Sequence, residues 1–103
     1  MYDATNLTRL KELDENAPEA TKAFWAFDKA AFAAGALTVQ TKQLIAVAVA
    51  LTTQCPYCIA LHNKAAREVG ATDGQLAEAA LVAAAMRAGA AITHSTHLFG
   101  DRR

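Results

Sequence analysis

This sequence has no net charge: ten Lys and Arg residues are balanced by ten Asp and Glu. Without a basic field it has no means of holding a nucleic-acid backbone, and no acidic tail offers itself to a cationic partner. Long apolar runs are scarce too. None exceeds eight residues, the length of LIAVAVAL from Leu44 to Leu51, where a membrane-spanning helix needs about 20. The opening MYDATNLTRLKELDENAP mixes charges and lacks the apolar stretch and small-residue cleavage site of a secretory signal. Together these absences predict a soluble, cytoplasmic protein with neither nucleic acid nor membrane as its partner. Cysteine is limited to Cys55 and Cys58. In a reducing compartment, a bridge across so short a loop would constrain the unfolded chain little, so pairing would serve chemistry rather than architecture.

Alanine, by contrast, fills 26 of the 103 positions, which favours helix and lets helices approach closely. No segment sustains the period-two alternation of a strand. The expected fold is an all-α single domain over residues 1–103. A first amphipathic helix is expected over Asn6–Glu15, with Leu7, Leu10 and Leu13 on one side. Pro18 suits the first turn of a second helix that stops at Gly35 and buries Phe24, Phe27, Ala31 and Ala34. Thr38 is positioned to cap a third helix carrying Val39, Leu44, Ile45, Val47, Val49 and Leu51. These residues surround the helix, the pattern of a helix covered on every side. A lone chain this short can hardly supply that cover, so copies of itself are the expected partners. A last helix starts at a capping box formed by Thr72 and Gln75, and Gly89 within it predicts close helix packing.

Between these helices lies QCPYCIALH, residues 54–62. Cys55 fits an N-cap, Pro56 the first helical position and Gly70 the C-terminal stop. On that helix Cys55, Cys58 and His62 fall within a sector of about 60 degrees. Helical residues three apart have Cβ atoms about 5–6 Å apart, whereas a disulfide needs about 3.5–4.5 Å. A bridge here would therefore tighten the first turn and be easy to reduce. The position of Cys55 at the helix N-terminus favours its thiolate. His62, one turn beyond Cys58, favours Cys58 as the activated sulfur instead. Spacing alone leaves the two assignments open. Two inert buried thiols are the bland alternative. A zinc site built from Cys55, Cys58, His62 and either His94 or His97 is another, although ligands on one helix face close a tetrahedron poorly. Cys-Pro-Tyr-Cys also occurs in glutaredoxins, but that fold needs flanking strands and a downstream proline, and no proline follows Pro56.

The segment KQLIAVAVALTTQCPYCIALHNKAAREVGATDGQLAEAALVAAAMRAGAAITH resembles the core of the alkylhydroperoxidase D-like (AhpD-like) branch of the carboxymuconolactone decarboxylase family. The resemblance covers residues 20–98 and rests on C-x-x-C-x-x-x-H after an apolar helix, then Gly-Ala-Thr and an alanine-rich helix. It implies an AhpD-like helical bundle assembled as a trimer or hexamer, acting as a thiol-dependent peroxidase or disulfide oxidoreductase with no bound cofactor. Its partners would be a small-molecule peroxide and a thiol or dithiol electron donor. By the same resemblance Cys58 meets the peroxide, Cys55 resolves the sulfenic acid and His62 activates Cys58. The family pattern places a glutamate twelve residues before the first cysteine, and Gln43 stands there. A helical hairpin turning near Thr53 would put Gln43 opposite His62. An amide can orient the imidazole but cannot exchange a proton. His94 and His97 are candidate substitutes, with a simple helix C-terminal role as the default. Tyr57 would line the pocket or fill space, and Trp25 would serve the core or a subunit contact. The rival functions are a metal-binding or structural oligomer, and a lactone decarboxylase-type enzyme that has no use for a dithiol.

Overall fold

The computed structural model describes residues 2–101. Its helices are α1 (Lys11–Asn16), α2 (Pro18–Phe32), α3 (Val39–Thr53), α4 (Pro56–Glu68) and α5 (Asp73–His94), with 3-10 segments at Ala4–Leu10 and Ser95–Phe99. No strand occurs among the described residues, so the fold is all-α.

The expected first helix is split. Asp3 caps the 3-10 segment by accepting from the Thr5 amide at 2.9 Å, and the Thr8 hydroxyl donates to the Thr5 carbonyl at 2.7 Å. Such local side-chain bonds compete with regular helical pairing, and α-helix begins only at Lys11. Pro18 opens α2, which folds back on α1 through Thr21, whose hydroxyl donates to the Leu13 carbonyl at 3.0 Å. Thr21 is the one buried residue of this hairpin among those described.

The face expected to be buried on α2 is not buried within the chain. Phe24 is 53% and Phe27 69% exposed, and Ala31 and Ala34 are exposed as well. The cause is topological: α2 rests on α1 and meets α3 chiefly at its last turn, so the α1–α2 arm stands away from the body. The radius of gyration, 17.7 Å, exceeds the roughly 13 Å of a compact chain of about 100 residues.

The body is α3 with α4 on one side and α5 on another. Thr38 caps α3, its hydroxyl accepting from the Thr41 amide at 3.1 Å. At the other end Gln54 takes the left-handed conformation (φ 56°), and the Cys55 amide donates back to the Ala50 carbonyl at 3.2 Å. That turn sends α4 antiparallel to α3. Gly70 (φ 91°) ends α4, where the Ala71 amide donates to the Ala66 carbonyl at 2.9 Å. Gln40 joins the three helices at this end, its side chain donating to the Val69 carbonyl at 3.0 Å and accepting from Gln75 Nε2 at 3.1 Å. The core is thin: Val47, Ala66 and Ala71, with Leu44 and Leu76 against them.

Both halves of the Thr72–Gln75 capping box form. Helix α5 runs unbroken through Gly89, but a Cβ there would meet nothing within 4 Å, so close packing at this glycine is absent within the chain. Leu81, Val82, Met86 and Ile92 are each 64–71% exposed along it. The stretch Asp73–Phe99 is the one helical segment among the described residues long and apolar enough to cross a membrane by length and composition. Counting uninterrupted apolar residues misses it, because Glu78 and Arg87 break the run without lowering its mean hydropathy below such a threshold. Much of its apolar character comes from alanine, and it packs along α3.

Candidate active site

Cys55 is the N-cap of α4, with extended backbone (φ −92°, ψ 104°), and its Sγ accepts a hydrogen bond from the Cys58 amide at 3.3 Å. Pro56 takes the first helical position, where its missing N–H costs nothing. Both thiols are free and partly buried. The hydrogen bond from the Cys58 side chain, followed by that from its amide, holds the Cys55 thiol below its ordinary value. The same hydrogen bond, then burial, then the neighbouring negative charge push the Cys58 thiol up. Of the two thiols, Cys55 is the one whose ionisation is favoured and Cys58 the one that holds its proton more tightly.

One turn on, His62 faces α3. The left-handed turn at Gln54 sets Gln43 across from it, and His62 Nδ1 lies 2.8 Å from Gln43 Oε1. Because an amide oxygen only accepts, Nδ1 carries the hydrogen in this pairing and Nε2 is left as the basic nitrogen. The ring's face is covered by Phe32, the last residue of α2, stacked at a centroid distance of 5.1 Å and an interplanar angle of 13°. The chain end bearing Phe32 is fixed from α3, where the Lys42 ammonium donates to the Ala33 carbonyl. Adjacent residues on α3 thus control the imidazole twice, Gln43 through its edge and Lys42 through the helix end behind Phe32.

These groups line a cavity of about 280 Å³, walled by Phe32, Ala46, Val49, Thr53, Cys58 and His62. Cys58 is the sulfur in that wall; Cys55 is not part of it. The arrangement offers a thiol and an imidazole to one small, mainly apolar chamber, with the more acidic thiol at the adjacent N-cap.

Of the residues singled out from sequence, Cys55, Cys58, His62 and Gln43 are gathered here, and four others are elsewhere. His94 Nδ1 donates to the Ala90 carbonyl of its own helix (3.0 Å) and its ring lies 5.8 Å from that of His97 between centroids; neither lines the chamber. Among the described residues no group of three or more His, Cys, Asp or Glu side chains is placed to hold a metal ion. The zinc reading thus gains no ligand set. Trp25 is 41% exposed and packs edge-on to Phe24 at 5.0 Å. Tyr57 turns away to the N-terminus: its hydroxyl accepts from Asn6 Nδ2 at 2.9 Å and from the Asp3 amide at 3.3 Å, and its ring meets Tyr2 at 4.8 Å. Sequence reasoning missed Phe32. Its place at the end of α2 was visible, but the ring that α2 would meet was not.

An all-helical body with a dithiol at a helix N-terminus and a histidine one turn on defines a class, and comparison with known proteins gives it a name. Residues 18–100 match the carboxymuconolactone decarboxylase family, and the chain belongs to that family, which includes the AhpD-like proteins. It is 62% identical over 73 residues to uncharacterised protein 4 in the cox locus of Paracoccus denitrificans, a match covering 71% of this chain and 66% of that protein. An uncharacterised protein of Cupriavidus necator is 38% identical over 78 residues, covering 72% of this chain and 69% of the relative. The chain therefore spans about two thirds of the length of these relatives. Among solved structures, a protein from Methanobacterium thermoautotrophicum is 41% identical with a TM-score of 0.78, over 82% of this chain and 96% of its own. A carboxymuconolactone decarboxylase family protein from Legionella pneumophila is 36% identical with a TM-score of 0.73, over 78% of this chain and 71% of its own.

Proposed function

We propose that this protein is a thiol-dependent peroxidase of the AhpD-like type that cycles between a Cys55–Cys58 dithiol and disulfide. The observation that carries the reading is the shared chamber: Cys58 and His62 face the same cavity, and the more acidic thiol, Cys55, stands at the N-cap beside Cys58. The thiol proton of Cys58 passes to Cys55 or to His62 Nε2, and the resulting Cys58 thiolate attacks the distal oxygen of a hydroperoxide. An S–O bond forms, the O–O bond breaks, and the departing alkoxide takes a proton to leave as alcohol. Cys55 then attacks the sulfenic sulfur, forming the disulfide and releasing water. A thiol or dithiol donor supplies two electrons and two protons to restore the pair.

Two lines of electrostatics and geometry meet here and assign different sulfurs. The thiol that ionises more readily is Cys55, but the sulfur open to the chamber is Cys58. Access decides which sulfur meets a bulky hydroperoxide, because proton transfer between two adjacent sulfurs is a small adjustment, whereas moving Cys55 into the chamber would uncap α4. Gln43 holds the imidazole but adds no proton exchange, so turnover rests on His62 and Cys55. The protein works without a bound cofactor, in the cytoplasm, as a homotrimer or homohexamer whose contacts cover the arm and α5.

Stopped-flow consumption of tert-butyl hydroperoxide with a dithiol donor tests this. Cys58→Ser should abolish turnover, and Cys55→Ser should leave a single oxidation of Cys58 to the sulfenic acid, trapped by dimedone. Dimedone adduct at Cys55 in the Cys58→Ser protein, with turnover retained, would reverse the assignment. Absence of disulfide in the wild type after stoichiometric hydroperoxide would end the redox reading.

A further inference from the structure

The chamber holding Cys58 shares two walls with a second cavity. Phe32 and Ala46 border both, and the second cavity, about 270 Å³, continues along α3 past Leu37 and Ile45 to Lys42. It is mainly apolar until it reaches the Lys42 ammonium. Lys42 forms no ion pair among the described residues, and only one of its three donor positions is taken up by the Ala33 carbonyl. An apolar trough with a reactive thiol at one end and an uncompensated cation at the other has the polarity of an amphipathic anion.

We propose that the two cavities form one elongated substrate channel, constricted at Phe32, that takes organic hydroperoxides bearing a terminal carboxylate. The peroxide group sits at Cys58, the hydrocarbon lies over Ala46 and the carboxylate meets Lys42. Helical rise sets the length of the ligand: Lys42 and Ala50 are eight residues apart on α3, or about 12 Å along its axis. That span excludes small hydroperoxides from using both ends and suits a medium- to long-chain acid. Phe32 plays two parts, covering the imidazole face of His62 and narrowing the passage over Ala46. Trimming its ring should lower the rate on every substrate through His62 while easing entry of long chains, so the informative quantity is a ratio between substrates.

This inference rests on the peroxidase reading, and the test separates the two. The intact protein is assayed with tert-butyl hydroperoxide, a C18 fatty-acid hydroperoxide and the methyl ester of that hydroperoxide, with kcat/KM as the readout. The wild type should prefer the acid to its ester severalfold. Lys42→Gln, which removes the cation, should erase that preference between acid and ester. Phe32→Ala should raise the ratio of long-chain to tert-butyl substrate about tenfold, and Phe32→Trp should lower it. Equal use of acid and ester by the wild type, or an unchanged length ratio across both Phe32 variants, would overturn the channel.

Should the wild type consume no hydroperoxide at all, the peroxidase reading fails and the channel is judged by binding. Calorimetry with the corresponding hydroxy fatty acid should then show an affinity that Lys42→Gln weakens and methyl esterification removes. No binding, or binding indifferent to both changes, would overturn it.

Discussion

The α3–α4 hairpin and the α1–α2 arm are built from the same alanine-rich vocabulary, yet they meet their surroundings differently. In the hairpin the functional side chains find partners within the chain: Cys55 on the Cys58 amide, His62 on Gln43 and Phe32, Gln40 on Val69 and Gln75. In the arm, Leu13, Phe24 and Phe27 are 52–69% exposed, and a single threonine is buried. The first region partners its functional groups from its own sequence, while Ile45, Val49 and Leu61 on it stay 48–54% exposed. The other presents apolar surface in the manner of a chain designed for neighbours, which is the basis of the trimer or hexamer proposed above.

The largest effect separating the two regions should come from the hairpin's chemistry. Cys58→Ser should reduce hydroperoxide turnover by about 1,000-fold or more, with sedimentation behaviour unchanged. Charging the uncovered surface should do the reverse. Phe27→Glu together with Leu81→Glu should shift the particle to a monomer in analytical ultracentrifugation, while helical circular dichroism persists; an unchanged mass would show that these faces are not contacts.

Within the hairpin, Gln43→Leu should cost about tenfold in kcat by freeing the imidazole, whereas Gln43→Glu should raise it by supplying a group that exchanges protons. Alkylation with iodoacetamide refines the electrostatics. Cys55 should be labelled before Cys58, since its thiol is held low by hydrogen bonds from Cys58. Cys58→Ala removes the side-chain donor, so the Cys55 labelling curve should move to higher pH. Cys55→Ala removes both the hydrogen bond and the charge that hold the Cys58 thiol up, so the Cys58 curve should move to lower pH. The smallest change concerns neither region: Thr72→Ala loses a capping box worth about 1 kcal/mol, lowering Tm by about 4–8 °C without altering the ratio of activities between substrates.

The contrast also explains what could be read from the chain beforehand. Caps and stops are local, so Thr38, Cys55, Pro56, Gly70 and the Thr72–Gln75 pair stand where their residue types place them. The opposition of Gln43 and His62 is nearly local as well, since it needs only a tight turn and a count along each helix. Tertiary relations were hidden. Helical periodicity identified an apolar side on α2, but periodicity does not say whether that side is covered by the same chain, and Phe24 and Phe27 are not. Gly89 permits close approach without showing what approaches. Tyr57 and Phe32 depend on where two distant segments, the N-terminus and the end of α2, return to the motif. The split of the first helix was concealed because threonine side chains bond locally in ways that leucine spacing does not report.

The sulfur of Cys55 has a second employment as the acceptor that finishes the first turn of α4. In the proposed cycle, drawing that sulfur into a disulfide would pull electron density away from the amide it serves, so oxidation would loosen the beginning of the helix and reduction would restore it. On the peroxidase reading the backbone would thereby favour the dithiol and ease the return of electrons from a thiol donor.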